Sequence, residues 1–206
     1  MNVAVLASGT GSNLQALLDQ VHGRDGIRIV AVVSDKPDAR ALERAQAAEV
    51  PISVFPAAAY ADRMQRDLAM ADWLVDHGVE LVVLAGYMQL LSHAFLERFP
   101  ARVINVHPAL LPAFPGLHAV EQALQYGAKV SGVTVHFVDE GVDSGPIILQ
   151  RSVELGDATD AEAVMQRLRP LEHELLPEAV RLIAAGAVSL DEANPRRVVI
   201  SRSGVS

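Results

Sequence analysis

Arg102-Val103-Ile104-Asn105-Val106-His107-Pro108 reads as a buried strand closed by a proline. Side chains two apart on a strand share a face, so Asn105 and His107 project together. Pro108 cannot donate to a sheet ladder, so the strand stops there and presents both groups at its C-terminal end. In open α/β sheets that end is where ligands bind. An amide able to donate to a developing oxyanion therefore stands beside an imidazole able to carry a proton.

Upstream, strand and helix patterns alternate. Apolar, β-branched runs at 3–7, 27–33, 52–55 and 81–85 read as buried strands. Between them, helical spacing is expected at 13–21, 39–49, 59–77 and 92–98, with Pro51 stopping the second helix and Gly78 capping the third. Such alternation predicts a doubly wound, mostly parallel sheet. Downstream, a proline-punctuated loop (108–116) leads to a helix at 118–126. Strands at 130–138 and 146–153 then follow with no helix between them, which predicts an antiparallel edge. A long helix is expected at 161–185, kinked or broken at Pro170 and again at Pro177. Past Gly186 only weak strand signals and the pair Arg196-Arg197 remain.

At 206 residues the chain fits one domain with a C-terminal appendage. It has no cysteine, which excludes thiol nucleophiles and disulfides and fits a reducing, cytoplasmic compartment. Neither a signal peptide nor a membrane span is legible. The net charge of −8 argues against a nucleic-acid surface. No His, Asp and Glu spacing suggests a metal.

Ser8-Gly9-Thr10-Gly11-Ser12-Asn13 lies between the first strand and first helix. Its glycines admit close backbone approach, and the helix N-terminus offers N–H groups to a phosphate. Lacking a P-loop lysine, and with Leu14 at the third glycine position of a dinucleotide fingerprint, it suits a single phosphate best; Asp35 after the second strand keeps a ribose-binding reading open. A plain tight turn with Ser12 as helix N-cap is the alternative. The acidic loop Asp139-Glu140-Gly141-Val142-Asp143-Ser144-Gly145-Pro146 either folds a carboxylate back onto His107 or is a solvated turn. Of the seven histidines, His22, His77 and His93 lie at helix ends, His118 begins a helix, His173 has a solvated face as its simplest reading, and His136 could face either side of its strand.

Four segments, 7–15, 84–88, 104–112 and 143–146, resemble in order and spacing those of folate-dependent phosphoribosylglycinamide formyltransferases, enzymes of purine synthesis. The resemblance runs from residue 1 to about 185. It implies a Rossmann-like formyltransferase fold over 1–186, with a phosphate-binding half (about 1–100), a folate and catalytic half (about 101–186), and a tail at 187–206. It also implies direct formyl transfer from 10-formyltetrahydrofolate with no metal, Asn105, His107 and Asp143 being catalytic. Gly11, Ser12 and Asn13 would hold the substrate phosphate, and Glu172 would contact its amine end. Arg63, Met88, Gln89, Leu90, Leu91, Asn105, Asp139, Glu140, Gly141 and Val142 would hold the folate. Gln89 stands where bacterial relatives commonly have arginine. The enzyme would act on small molecules as a monomer or homodimer. Two rival readings are a formyltetrahydrofolate hydrolase and a noncatalytic nucleotide-binding module.

Overall fold

The computed structural model describes residues 1–201 and resolves into two compact units, 1–105 and from 106 onward. Of the expected tail, the last five residues lie outside the described residues.

In the first unit, β1 (Asn2–Leu6), β2 (Arg28–Ser34), β3 (Ile52–Val54), β4 (Leu81–Leu84) and β5 (Val103–His107, which crosses the boundary) pair in parallel in the order β3-β2-β1-β4-β5. Helices α1 (Ser12–Gln20), α2 (Arg40–Ala47), α3 (Arg63–Asp76) and α4 (His93–Arg98) connect them. Val3 to Leu6 and Leu81 to Val83 are wholly buried, as strands covered on both faces must be. Two starts differ from expectation. The helix expected from residue 59 begins at Arg63, because the Asp62 carboxylate caps it by accepting the Gln65 N–H at 2.8 Å; a separate 3₁₀ turn occupies Ala57–Ala59. In α1, Ser12 is the first helical residue and Gly11 is the N-cap, with φ 71°.

The second unit contains α5 (Ala119–Tyr126), the antiparallel pair β6 (Val130–Phe137) and β7 (Ile147–Glu154), α6 (Ala161–Ala184) and a small hairpin of β8 (Val188–Leu190) and β9 (Val198–Ile200). Helix α6 packs on α5, β6 and β7. It runs unbroken through Pro170 and Pro177, contrary to the expected interruption. An internal proline costs about 3 kcal/mol or more. Against that, α6 buries Val164, Leu168, Leu175, Leu176, Val180 and Ile183, and each such side chain contributes roughly 1.5–3 kcal/mol. Packing outweighs the two missing N–H donors.

Pro170 is solvent-exposed, so its replacement removes no packing. Pro170→Ala is expected to raise the free energy of unfolding by about 1–2 kcal/mol, the restored helix propensity less the added unfolded-state entropy. Urea denaturation read by circular dichroism checks this.

Candidate active site

His107 ends β5 and is 4% exposed. Its Nε2 lies 2.9 Å from the Phe114 carbonyl oxygen and its Nδ1 3.2 Å from Asp143 Oδ2, so both ring nitrogens face acceptors. The acidic loop therefore does fold a carboxylate onto this histidine. The same oxygen accepts the Gly116 N–H at 2.7 Å. On its far side Asp143 Oδ1 lies 3.6 Å from Nε2 of His136, whose Nδ1 meets the Phe137 carbonyl at 2.7 Å. Two buried imidazoles thus share one carboxylate, and each has a backbone carbonyl at its outer nitrogen.

This geometry sets the electrostatics. Burial lowers the pKa of His107 below the ordinary 6.5; the Phe114 carbonyl and the Asp143 charge oppose the shift without cancelling it, and His136 adds to it. The charge of Asp143 acts toward a more basic ring, and the desolvation exceeds it. For Asp143 burial acts upward, but hydrogen bonds from His136 and the Gly116 N–H, with the charges of both imidazoles, hold the carboxyl below its ordinary value. Below the ordinary imidazole value the unfolded chain takes up a proton that buried His107 resists, so this residue subtracts stability as the solution is acidified.

Asn105, two residues before His107 on β5, pairs in the ladder with Leu84 and is half-exposed, while Ile104 and Val106 are buried. The strand thus offers the carboxamide on the face that carries His107.

In the first unit the glycine-rich turn is closely built. A Cβ on Gly11 would lie 2.7 Å from the Ala41 Cα, and its φ of 71° is left-handed, so space and backbone both demand glycine. Arg44 donates to the Thr10 carbonyl at 2.8 Å and to Gln15 Oε1 at 2.9 Å, bringing a guanidinium to the turn. The first N–H groups of α1 and this guanidinium thus lie at the same turn.

Met88 and Leu90 are large apolar side chains more than half exposed. Gln89 between them donates to Asp35 Oδ2 at 3.1 Å. Arg66, 2% exposed, donates to Gln89 Oε1 at 3.2 Å and to the Leu90 carbonyl at 3.3 Å, while Asp67 holds it at 2.7 Å. Asp67 also accepts the Ser92 N–H at 2.6 Å. Arg63 is exposed on the first turn of α3; Arg66, three residues on, is the arginine joined to 89–90. Asp139, Glu140, Gly141 and Val142 lie in the β6–β7 loop with Asp143, and Glu172 is buried on α6 at 6% exposure. Among the described residues no group of His, Asp and Glu could hold a metal ion, and no helix is long and apolar enough to cross a membrane.

His136, Arg66 and Arg44 were not singled out from sequence. β6 is buried on both faces from Ser131 to Phe137, so alternation carries no information about where His136 points. Arg66 and Arg44 lie within helical patterns whose solvated face is the ordinary place for arginine.

Residues 1–180 match the family described as formyl transferase. The chain belongs to that family. Within the formyl transferases it is 42% identical over 179 residues to the phosphoribosylglycinamide formyltransferase of Bacillus subtilis (strain 168), covering 86% of this chain and 92% of the relative. It is 45% identical over 188 residues to the enzyme of that name from Mycobacterium tuberculosis (strain ATCC 25618 / H37Rv), covering 91% and 87%. The crystal structure of glycinamide ribonucleotide transformylase 1 from Symbiobacterium toebii superposes with a TM-score of 0.93 at 48% identity, covering 97% of this chain and 93% of that one. The mostly parallel sheet with its antiparallel pair is accordingly the formyl transferase fold.

Replacing Asp143 with asparagine removes the charge that opposes desolvation of His107 while keeping its shape. Asp143→Asn is expected to lower the pKa of His107 further, seen as a downfield-to-upfield midpoint at lower pH in an NMR titration of the ring protons. An unchanged midpoint would contradict the pairing.

Proposed function

We propose that the chain is a phosphoribosylglycinamide formyltransferase, moving the formyl group of 10-formyltetrahydrofolate to the amine of 5-phosphoribosylglycinamide in purine synthesis. The observation that carries this reading is the Asp143 carboxylate 3.2 Å from Nδ1 of His107, two residues beyond Asn105 on one strand. Its relatives and structural neighbours carry the same activity in their names.

In this mechanism the substrate amine attacks the formyl carbon directly, and no acyl-enzyme forms. Asn105 donates its carboxamide N–H to the oxyanion of the tetrahedral intermediate. His107 exchanges the Phe114 carbonyl for the reacting groups and carries a proton from the attacking amine toward the leaving folate nitrogen. A ring whose charged form is disfavoured by burial suits this role. It can take the amine's proton as the neighbouring oxyanion forms, because that new negative charge favours imidazolium. Asp143 fixes the ring and receives the Nδ1 proton in a hydrogen bond.

Gly11, Ser12 and Asn13 hold the substrate phosphate, with the Arg44 guanidinium adding positive charge, and Glu172 contacts the amine end. Met88 to Leu91 and Asp139 to Val142 hold the folate, the exposed Met88 and Leu90 meeting its apolar faces, with Arg63 as an outer cation. In this reading the phosphate contacts fall before about residue 100 and the catalytic groups after it, while the folate draws on both halves. The absence of cysteine and the substrates' metabolic setting support a cytoplasmic enzyme acting on small molecules, as a monomer or homodimer.

The deciding assay follows absorbance during deformylation of 10-formyl-5,8-dideazafolate with and without the ribonucleotide. Turnover is expected only when the ribonucleotide is present; turnover without it would mark a hydrolase, and none from folded protein a binding module. In the same assay Asn105→Ala should reduce kcat by about 10²–10³ and His107→Ala by about 10²–10⁴, with smaller changes in substrate binding. Wild-type turnover by either variant would remove that residue from the mechanism.

A further inference from the structure

The family match ends at residue 180, and the hairpin that follows α6 has no part in the chemistry described so far. Its turn is nonetheless closely built. Asp191 N–H donates to the Arg197 carbonyl at 2.9 Å, Arg197 N–H to the Asn194 carbonyl at 2.8 Å, and Arg196 N–H to Asn194 Oδ1 at 3.1 Å. Arg197 also pairs with Asp191 at 3.5 Å, which holds the two arginines of this turn in different directions.

What the hairpin touches is the loop that carries Asp143. Arg196 Nη2 donates to the Ser144 carbonyl at 2.6 Å, and Arg197 forms a parallel bridge with Ile147 at the start of β7. The loop has its own internal ties: Ser144 Oγ donates to Asp139 Oδ1 at 2.5 Å, Gly141 N–H to the same oxygen at 3.1 Å, and Phe137 N–H to the Pro146 carbonyl at 2.9 Å. A Cβ on Gly145 would run into the Phe137 carbonyl, so the chain passes there only as glycine. Asp143 itself has φ 48°, a left-handed conformation that a side-chain-bearing residue keeps only where its surroundings hold it. Asp139 holds the loop from inside; among the described residues of the tail, Arg196 brings a charged donor to the carbonyl one residue beyond Asp143.

We propose that Arg196 is a positioning residue: through the Ser144 carbonyl, the C-terminal hairpin holds the 139–146 loop in the conformation that sets the Asp143 carboxylate against His107. This rests on the reading of Asp143 and His107 as catalytic. The tail is then part of the working enzyme, and a charge-assisted hydrogen bond to a backbone oxygen is the means. Misplacement of a catalytic group by a fraction of an ångström is enough to slow the chemical step.

The test uses the full chain with Arg196→Met, Arg196→Lys and, in parallel, Asp143→Asn. Arg196→Met is expected to lower kcat about 3- to 10-fold, leave KM for the ribonucleotide within about twofold, and shift the ring resonances of His107. Arg196→Lys, which can still donate to one carbonyl, should recover most of the lost kcat and return those resonances toward wild type. Wild-type kcat and unmoved His107 resonances in Arg196→Met overturn the proposal, as does a loss that lysine leaves unrelieved. If Asp143→Asn is impaired while Arg196→Met is not, the catalytic reading stands and only the role of the tail falls. If Asp143→Asn turns over at the wild-type rate, the catalytic reading falls and the proposal with it.

Discussion

One carboxylate set between two buried imidazoles organises the end of β5 and the 139–146 loop. Asp143 lies 3.2 Å from His107 and 3.6 Å from His136 and accepts the Gly116 N–H at 2.7 Å. A carboxylate taken out of water needs such partners, since an uncompensated buried charge costs several kcal/mol. The demands reach outward from there. Gly116 must present its N–H, the Phe114 and Phe137 carbonyls must occupy the outer ring nitrogens, and the 139–146 loop must turn tightly enough for Gly145 to pass beneath the Phe137 carbonyl. Each of these is a backbone condition imposed by one side chain.

In the proposed mechanism a buried histidine serves as the proton carrier. Desolvation and the neighbouring carboxylate act on His107 in opposite directions, and desolvation wins in the resting enzyme. A further negative charge near the ring adds to the pull of the carboxylate. In acyl-type transfer that charge is the oxyanion itself. Proton uptake is thereby coupled to the event that requires it, whereas a permanently charged imidazolium would have no proton to accept from the amine.

The first unit meets its demands by different means. At the glycine-rich turn the constraint is steric: α2 approaches so closely at Ala41 that position 11 admits no Cβ. At residues 88–91 the constraint is polar. A buried guanidinium, Arg66, neutralised by Asp67, reaches both the side chain of Gln89 and the carbonyl of Leu90. It holds a segment whose apolar side chains, Met88 and Leu90, face water and have no packing of their own to fix them. Arg66, 23 residues earlier in the chain, thus brings a guanidinium to the side chain at position 89.

Local rules accounted for the strands and for the end of β5. Continuous apolar runs are buried on both faces, a proline ends a ladder, and a two-residue spacing puts Asn105 and His107 on one face; none of this needs distant partners. Those same rules failed at Pro170 and Pro177, where the sum of buried side chains along α6 exceeds what two prolines remove. They were silent on His136, in a strand buried on both faces, and on Arg66 and Arg44, which helical spacing alone assigns to solvent. They also gave the sign of the effect of Asp143 on His107 but not the net shift, because burial is a property of the whole packed unit. What this sequence determined by itself was therefore the order of elements and the residues able to do chemistry, both written in short-range stereochemistry. Which carboxylate meets which imidazole, which arginine supports which segment, and how basic His107 is were decided only by tertiary structure, since each depends on groups distant in sequence being driven together out of water.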